Sequence, residues 1–241
     1  MDFHESAAAN FERHLVRNSY PGRVLVIGRA ADGSWLQIYA IMGRSERSRN
    51  RRFVADGPTL RTEAVDRSKI KDPSLIIYRA MAELPGVYLV TNGDQTDTIV
   101  DALRRAQTFE AALATREREP DSPNYTPRIS GMLDARGGGP EVALSLLRAN
   151  DADPEQTDRV STRPAAPPPG YGYLLSVYQS DGSPLPPFRG DPLPVPLSGS
   201  AEQILDRYWS ALDEQNRIAL AVKQISDLAL PGSISLRNRF S

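Results

Sequence analysis

The chain has 241 residues, 40% apolar and 24% charged, with 20 prolines as its one compositional excess, which is ordinary for a globular chain long enough to bury a core. Its 29 basic and 30 acidic side chains leave a net charge of -1, so the overall charge selects neither nucleic acid nor an anionic membrane, and any phosphate must be met by a local cluster. The lack of cysteine excludes disulfides, thiolate nucleophiles and cysteine metal sites.

Residues 5–17 place Ala8, Phe11, Leu15 and Val16 at helical spacing and predict a short amphipathic helix. A turn over Asn18-Ser19-Tyr20-Pro21-Gly22-Arg23 follows. His4 and His14 are the only histidines, ten residues apart and off a shared helical face, and they predict surface residues and no metal site. With no serine in an elbow sequence, a histidine-based triad is also excluded. No apolar run approaches the length of a membrane span, and Met1-Asp2-Phe3-His4-Glu5 is acidic where a secretory signal is basic and then apolar; we therefore expect a cytoplasmic protein.

Val24-Leu25-Val26-Ile27 and residues 35–42 predict two strands joined by Ala31-Asp32-Gly33-Ser34, a β-hairpin. Residues 43–52 then hold five arginines in ten positions. Such a run is either a solvated loop or a phosphate site built from guanidinium forks. Residues 86–91 predict a strand that turns through Asn92-Gly93-Asp94-Gln95-Thr96-Asp97 into one helix, with Ile99, Leu103, Ala106, Phe109 and Leu113 on a stripe and Thr96 or Asp97 as its cap.

Residues 128–134 and 142–147 predict a strand pair around a Gly-rich turn, and residues 171–178 a further strand. The stretches at about 150–170 and 183–196 predict Pro-rich surface excursions. Ser200-Ala201-Glu202-Gln203 is a capping box for a helix bearing Ile204, Leu205, Tyr208 and Leu212. Residues 217–222 fit a helix or a strand. Hairpins followed by helices, without a regular βαβ repeat, predict an α+β fold of antiparallel sheets covered by helices, in one domain over residues 1–241.

Three segments taken together carry a family resemblance. They are the hairpin with its loop (Ile27-Gly28-Arg29, Gly33-Ser34, Tyr39, Arg44-Ser45, Asn50-Arg51), the run from Val90 through Thr96-Asp97-Thr98 to Ile99, and Asn124-Tyr125-Thr126-Pro127-Arg128-Ile129. In this order they resemble the archaeal-type inosine monophosphate (IMP) cyclohydrolase family over about residues 20–135, with a looser match at 190–196 and 216–223. The resemblance implies a four-layer αββα sandwich similar to N-terminal nucleophile hydrolases, without their nucleophile. It implies ring closure of 5-formamidoimidazole-4-carboxamide ribonucleotide to IMP with loss of water, no metal and no organic cofactor. The implied partner is a purine ribonucleotide, with neither nucleic acid nor membrane; a homo-oligomer stays open. The chain departs from the family where Tyr125 interrupts an Asn-Thr-Pro-Arg sequence, in a longer arginine loop, in the Pro-rich stretches and in the tail after residue 225.

In that reaction a carboxamide nitrogen attacks a formyl carbon of the same molecule, so alignment supplies much of the rate. A donor must meet the formyl oxygen and an acceptor the amide proton. By resemblance, the catalytic candidates are Tyr78, which matches a tyrosine at the reacting end of the substrate, Glu119, which opens a Glu-x-Asp pair with Asp121, and Arg51. The substrate-binding candidates are Arg29, Arg44, Ser45, Asn92, Gly93, Thr96, Asp97, Thr98, Asp121 and Arg128, without assignment of the phosphate to particular arginines. The plainer alternatives are a core tyrosine after an apolar run, a solvated acidic loop around Glu119, and helix caps at Asp97 and Thr98. Two other functions fit the same residues: a paralogue cyclising an analogue nucleotide in nucleoside natural-product biosynthesis, and a non-catalytic nucleotide-binding module.

Overall fold

Strands that are apolar on both faces need a packed layer on each side. The computed structural model describes residues 3–69 and 76–240; residues 1–2, residues 73–75 of the run ahead of Tyr78, and residue 241 lie outside them. It begins with α1 (Phe3–Phe11), continued by a wider turn over Glu12–Val16, and then β1 (Arg23–Arg29) and β2 (Trp35–Met42). These two strands form the predicted hairpin with Val26 opposite Ile38, and nearly all of their side chains are buried.

The chain goes on through α2 (Glu46–Arg49), β3 (Arg52–Asp56), β4 (Thr59–Glu63), β5 (Arg79–Leu84), β6 (Val87–Thr91), α3 (Gln95–Arg104), α4 (Phe109–Ala114), β7 (Arg128–Asp134) and β8 (Glu141–Ala149). It ends with β9 (Thr157–Thr162), β10 (Tyr171–Ser176), β11 (Leu193–Pro196), α5 (Ala201–Ala211), β12 (Arg217–Ile225) and β13 (Ser233–Asn238). One sheet has the order β11-β10-β1-β2-β12-β13 and the other β3-β4-β5-β6-β7-β8-β9. All pairings are antiparallel.

The sheets meet face to face. Ile27 of β1 packs over Gly131 of β7, and Gln37 Nε2 donates to Tyr88 O across the layer at 3.0 Å. Outside the first sheet, α1 lies on β11 and α5 on β12 and β13, with Phe11 against Tyr208 at 5.1 Å. Outside the second, Ile99, Leu103, Phe109 and Leu113 from α3 and α4 form a separate apolar cluster with Leu89, Met132 and Leu147. The result is the expected α+β sandwich in four layers, αββα.

The structure corrects several local expectations. The helix predicted from residue 97 onward breaks at Ala106, which takes a positive φ of 59°, and α4 starts afresh on Thr108, whose side chain accepts from Ala111 N. Neither Thr96 nor Asp97 caps α3. The N-cap is Asp94, and it makes no capping bond because its carboxylate accepts from Arg116 at 2.6 Å and from Arg128 at 2.7 Å. The excursion at 150–170 contains β9, residues 217–222 belong to a strand, and the tail supplies β13. The capping box on Ser200 and Gln203 is present as predicted.

One buried ion pair joins the two sheets. Lys223 of β12 is fully buried and donates to Glu83 Oε1 at 2.8 Å and to Pro58 O at 2.5 Å; burial lowers its pKa, against the pull of Glu83. Removing one partner leaves an uncompensated buried charge, so Glu83→Leu should destabilise the fold by about 3–5 kcal/mol. Combining it with Lys223→Met should recover most of that loss in urea unfolding. A double variant as unstable as the single one would assign the loss to packing.

Candidate functional site

Tyr20 and Gly22 set the entrance to β1. Gly22 has a φ of 77° and leaves no room for a side chain, since a Cβ there would meet the Tyr178 ring. The turn therefore delivers Arg23 inward at the first position of the strand, where it is 9% exposed. A cavity of about 330 Å³ opens in front of it, lined by Tyr20, Arg23, Arg44, Ser45, Arg47, Ser48, Arg51, Ile76, Asp121, Asn124, Thr126, Tyr178 and Leu185.

The arginine loop forms the mouth and part of the floor. Ser45 caps α2 through a reciprocal bond pattern with Ser48, Arg49 Nε donates back to Gly43 O at 3.0 Å, and Asn50 clamps the backbone of Asp66 through both its side-chain atoms. With the loop so fixed, Arg51 turns in and is 4% exposed; its Nε donates to Ser48 O at 3.0 Å. Arg44 lies over the Tyr20 ring and Arg47 lines the opening.

Behind Arg23 and Arg51 lies a buried polar cluster. Glu119 approaches Arg23 at 3.7 Å, and the Tyr78 hydroxyl is 2.7 Å from that of Tyr39. Glu119 and Tyr78 are both buried without lining the cavity itself. Burial pushes the Glu119 carboxyl above its ordinary value, against the opposing charges of Arg23, Arg128 and Arg51. Burial also works against the Arg23 guanidinium, but Glu119 and then the phenols around it outweigh that and hold its pKa up. Arg51 has no such anion among the described residues; burial and then the charge of Arg23 lower its pKa. Arg23 Nε and Arg51 Nη1 are buried with no hydrogen-bond partner among the described residues. Two donors left unmatched beside a cavity are a preformed place for an oxyanion, because an unmet buried donor is costly.

The opposite wall is a relay of hydroxyls. Asp121 accepts from Thr126 N at 2.6 Å and from the Thr126 hydroxyl. The Tyr178 hydroxyl, 2.7 Å from that threonine oxygen, is then its donor. Burial raises the Tyr178 pKa to about 12, so it stays protonated at neutral pH. Tyr125, the residue interrupting the motif, takes a φ of 42° and turns outward, its hydroxyl on Glu155 at 2.6 Å and its ring under Arg118. That single left-handed residue absorbs the insertion and leaves Asn124 and Thr126 at the cavity.

Of the predicted site residues, Arg44, Ser45, Arg51 and Asp121 line the cavity, with Glu119 and Tyr78 behind it. The others go elsewhere. Arg29 sits at the far end of β1 over Trp35. Asn92 is consumed by the joint between β6 and β7, donating to Pro127 O and accepting from Ile129 N, both at 2.8 Å. Gly93 is needed because a side chain there would run into Arg128 and Gln95. The Thr96 hydroxyl donates to Arg79 O, Asp97 pairs with Arg79, and Thr98 lies in a shallow groove along α3. Arg128 is held by Asp94 and Gln95, away from the cavity. Sequence reasoning missed Arg23, Tyr20, Tyr178, Asn124 and Thr126 as lining residues. The Tyr-Pro-Gly-Arg turn was a usable signal, since a glycine at positive φ just before an arginine at a strand start aims that arginine. Among the described residues, no group of three His, Cys, Asp or Glu side chains is placed to hold a metal ion, and no helix is long and apolar enough to cross a membrane.

The family described as IMP cyclohydrolase-like protein matches residues 20–228. The chain belongs to this family. Among similar proteins, the IMP cyclohydrolase of Methanopyrus kandleri is 32% identical over 163 residues, 66% of this chain and 75% of that protein. The IMP cyclohydrolase of Methanosphaera stadtmanae is 32% identical over 128 residues, 50% of this chain and 60% of that protein. That of Methanocaldococcus jannaschii is 24% identical over 211 residues, 86% of this chain and 94% of that protein. Every cavity-lining residue falls inside the interval matched by the IMP cyclohydrolase-like family, and β13 falls outside it.

Proposed function

We propose that this IMP cyclohydrolase-like chain closes 5-formamidoimidazole-4-carboxamide ribonucleotide to IMP, releasing water. The observation that carries the reading is the pair of unmatched donors, Arg23 Nε and Arg51 Nη1, buried beside a carboxylate at the base of a cavity rimmed by arginine and serine. The formyl oxygen gains negative charge as the ring closes, and donors fixed in a buried setting stabilise that charge without reorganising. Glu119 accepts the carboxamide proton as the nitrogen attacks. The proton held by Glu119 turns the formyl oxygen into a hydroxyl. Tyr78 donates to it and protonates it as it leaves as water, and the former formamide nitrogen gives up its own proton to restore the phenol as the ring C=N bond forms. Arg44, Ser45, Arg47 and Ser48 take the 5′-phosphate at the mouth, and the Tyr20 and Tyr178 rings, stacked at 5.9 Å, flank the ribose and base. Alignment of two groups on one molecule is worth roughly 7–11 kcal/mol, so a cavity that chiefly positions suffices.

The test is direct: ring closure changes ultraviolet absorbance, and the purified chain should form IMP from the formylated ribonucleotide without added nucleotide or metal. A chain that binds IMP and forms none would leave the binding-module reading standing. Within the proposed role, Arg44→Ala should raise KM roughly ten- to a hundredfold, the worth of a hydrogen bond to a charged group, and leave kcat within a few-fold, since the phosphate does not react. An unchanged KM would return the arginine loop to a solvated role.

A further inference from the structure

Residues 179–188, which lead into the second Pro-rich stretch, form a strap at the cavity mouth. At its base Phe188 N donates to Val177 O at 2.9 Å and Gln179 N to Pro186 O at 3.0 Å, Tyr178 pairs with Pro187, and Phe188 is buried. The tip is tied to both walls of the site. On one side Arg44 Nη1 pairs with the Asp181 carboxylate and donates to Gly182 O at 3.2 Å. On the other, Leu185 N donates to Asn124 Oδ1 at 3.1 Å, and the Leu185 side chain enters the cavity lining.

Arg44 thus already holds an anion, one supplied by the strap. We propose that Asp181 sets the affinity of the phosphate subsite: its carboxylate stands in for the substrate phosphate on Arg44, so that a phosphorylated ligand must displace it to bind, which tempers binding and eases release. The inference rests on the assignment of Arg44 to the phosphate. A phosphate monoester carries about -1.5 to -2 charges at pH 7 and three acceptor oxygens, against one charge on a carboxylate, so the exchange favours the nucleotide. A nucleoside has nothing to offer Arg44, so its binding does not depend on breaking the Arg44–Asp181 pair. The Arg44–Asp181 pair is only half-buried, which suits a contact that must break at each turnover.

Asp181→Asn keeps the shape and removes the charge. Calorimetric titration with inorganic phosphate, IMP and inosine should show phosphate and IMP binding about two- to fivefold more tightly than to the wild type, the worth of a partly exposed ion pair, with inosine unchanged. In an Arg44→Ala background the same substitution should give no gain, and the thermal unfolding midpoint of each variant establishes that it is folded. Phosphate affinity that is unchanged or weaker, an equal gain for inosine, or a gain that survives Arg44→Ala would each overturn the proposal. A chain that makes no IMP but tightens on phosphate with Asp181→Asn would overturn the cyclisation and keep the strap; IMP formation with phosphate affinity unmoved would overturn the strap alone.

Discussion

Tyr78→Phe should lower kcat by about two to three orders of magnitude, the usual worth of one donor to a developing oxyanion, while KM stays within a few-fold. The hydroxyl that this variant deletes also serves Tyr39, 2.7 Å away and fully buried. Its loss leaves the Tyr39 hydroxyl unpaired and should cost about 1–3 kcal/mol of stability. Tyr39→Phe is therefore the control, because it breaks the same bond from the other side. If Tyr78 acts on the substrate, both variants lose stability and only Tyr78→Phe loses turnover. If the pair is purely structural, the two variants fall together in melting temperature and keep their rate. Steady-state kinetics beside thermal unfolding separates the cases, and wild-type turnover in Tyr78→Phe removes the phenol from the mechanism.

What the sequence made legible follows burial. β1 and β2 are apolar on both faces and announce themselves, and the capping box at Ser200 is a local bond pattern that needs no tertiary context. β3 and β4 gave no signal, because Arg52-Phe53-Val54-Ala55-Asp56 is the edge strand of its sheet and Thr59-Leu60-Arg61-Thr62-Glu63 its neighbour, each alternating buried residues with more exposed charged ones, which are tolerated there and blunt the edge. β9 was hidden in the same way. The break at Ala106 carried no glycine or proline to mark it; the apolar stripe continues across it because α3 and α4 cover the same sheet face.

The site divides along similar lines. Motif residues around the turn after β6 look like ligands, yet Asn92, Gly93 and Arg128 are engaged in the joint between that turn and β7, and Thr96 ties α3 to Arg79 of β5. Such a joint needs close backbone approach and satisfied polar groups as strictly as a binding site does, and a sequence cannot tell the two apart. Arg23, Thr126 and Tyr178 come together only through the pairing of β1 with β10 and the loop before β7, over separations of more than a hundred residues for the first two. The strap through Asp181 lies in a stretch whose composition announces only a loop.

Glu119→Gln should lower kcat by about two to four orders of magnitude, the contribution of a positioned base, and change the shape of the pH profile. The carboxyl is raised above the ordinary range by burial, against Arg23, Arg128 and Arg51. A base must be ionised, so kcat/KM of the wild type should rise as pH climbs through that raised value, and the limb should vanish in the glutamine variant. Stability runs the other way. A folded pKa above the unfolded one gives stability that is fully present below the unfolded value and is lost as pH rises through the folded one. The wild type should therefore lose stability relative to Glu119→Gln over the interval in which it gains activity. That opposition is the signature of a carboxylate kept buried for its basicity, and a carboxylate serving only to pair with Arg23 would show the stability trend without the kinetic one. An acid limb that persists unaltered in Glu119→Gln would transfer the proton acceptor to another group, with Asp121, which lines the cavity and is held by Thr126, the first to be replaced.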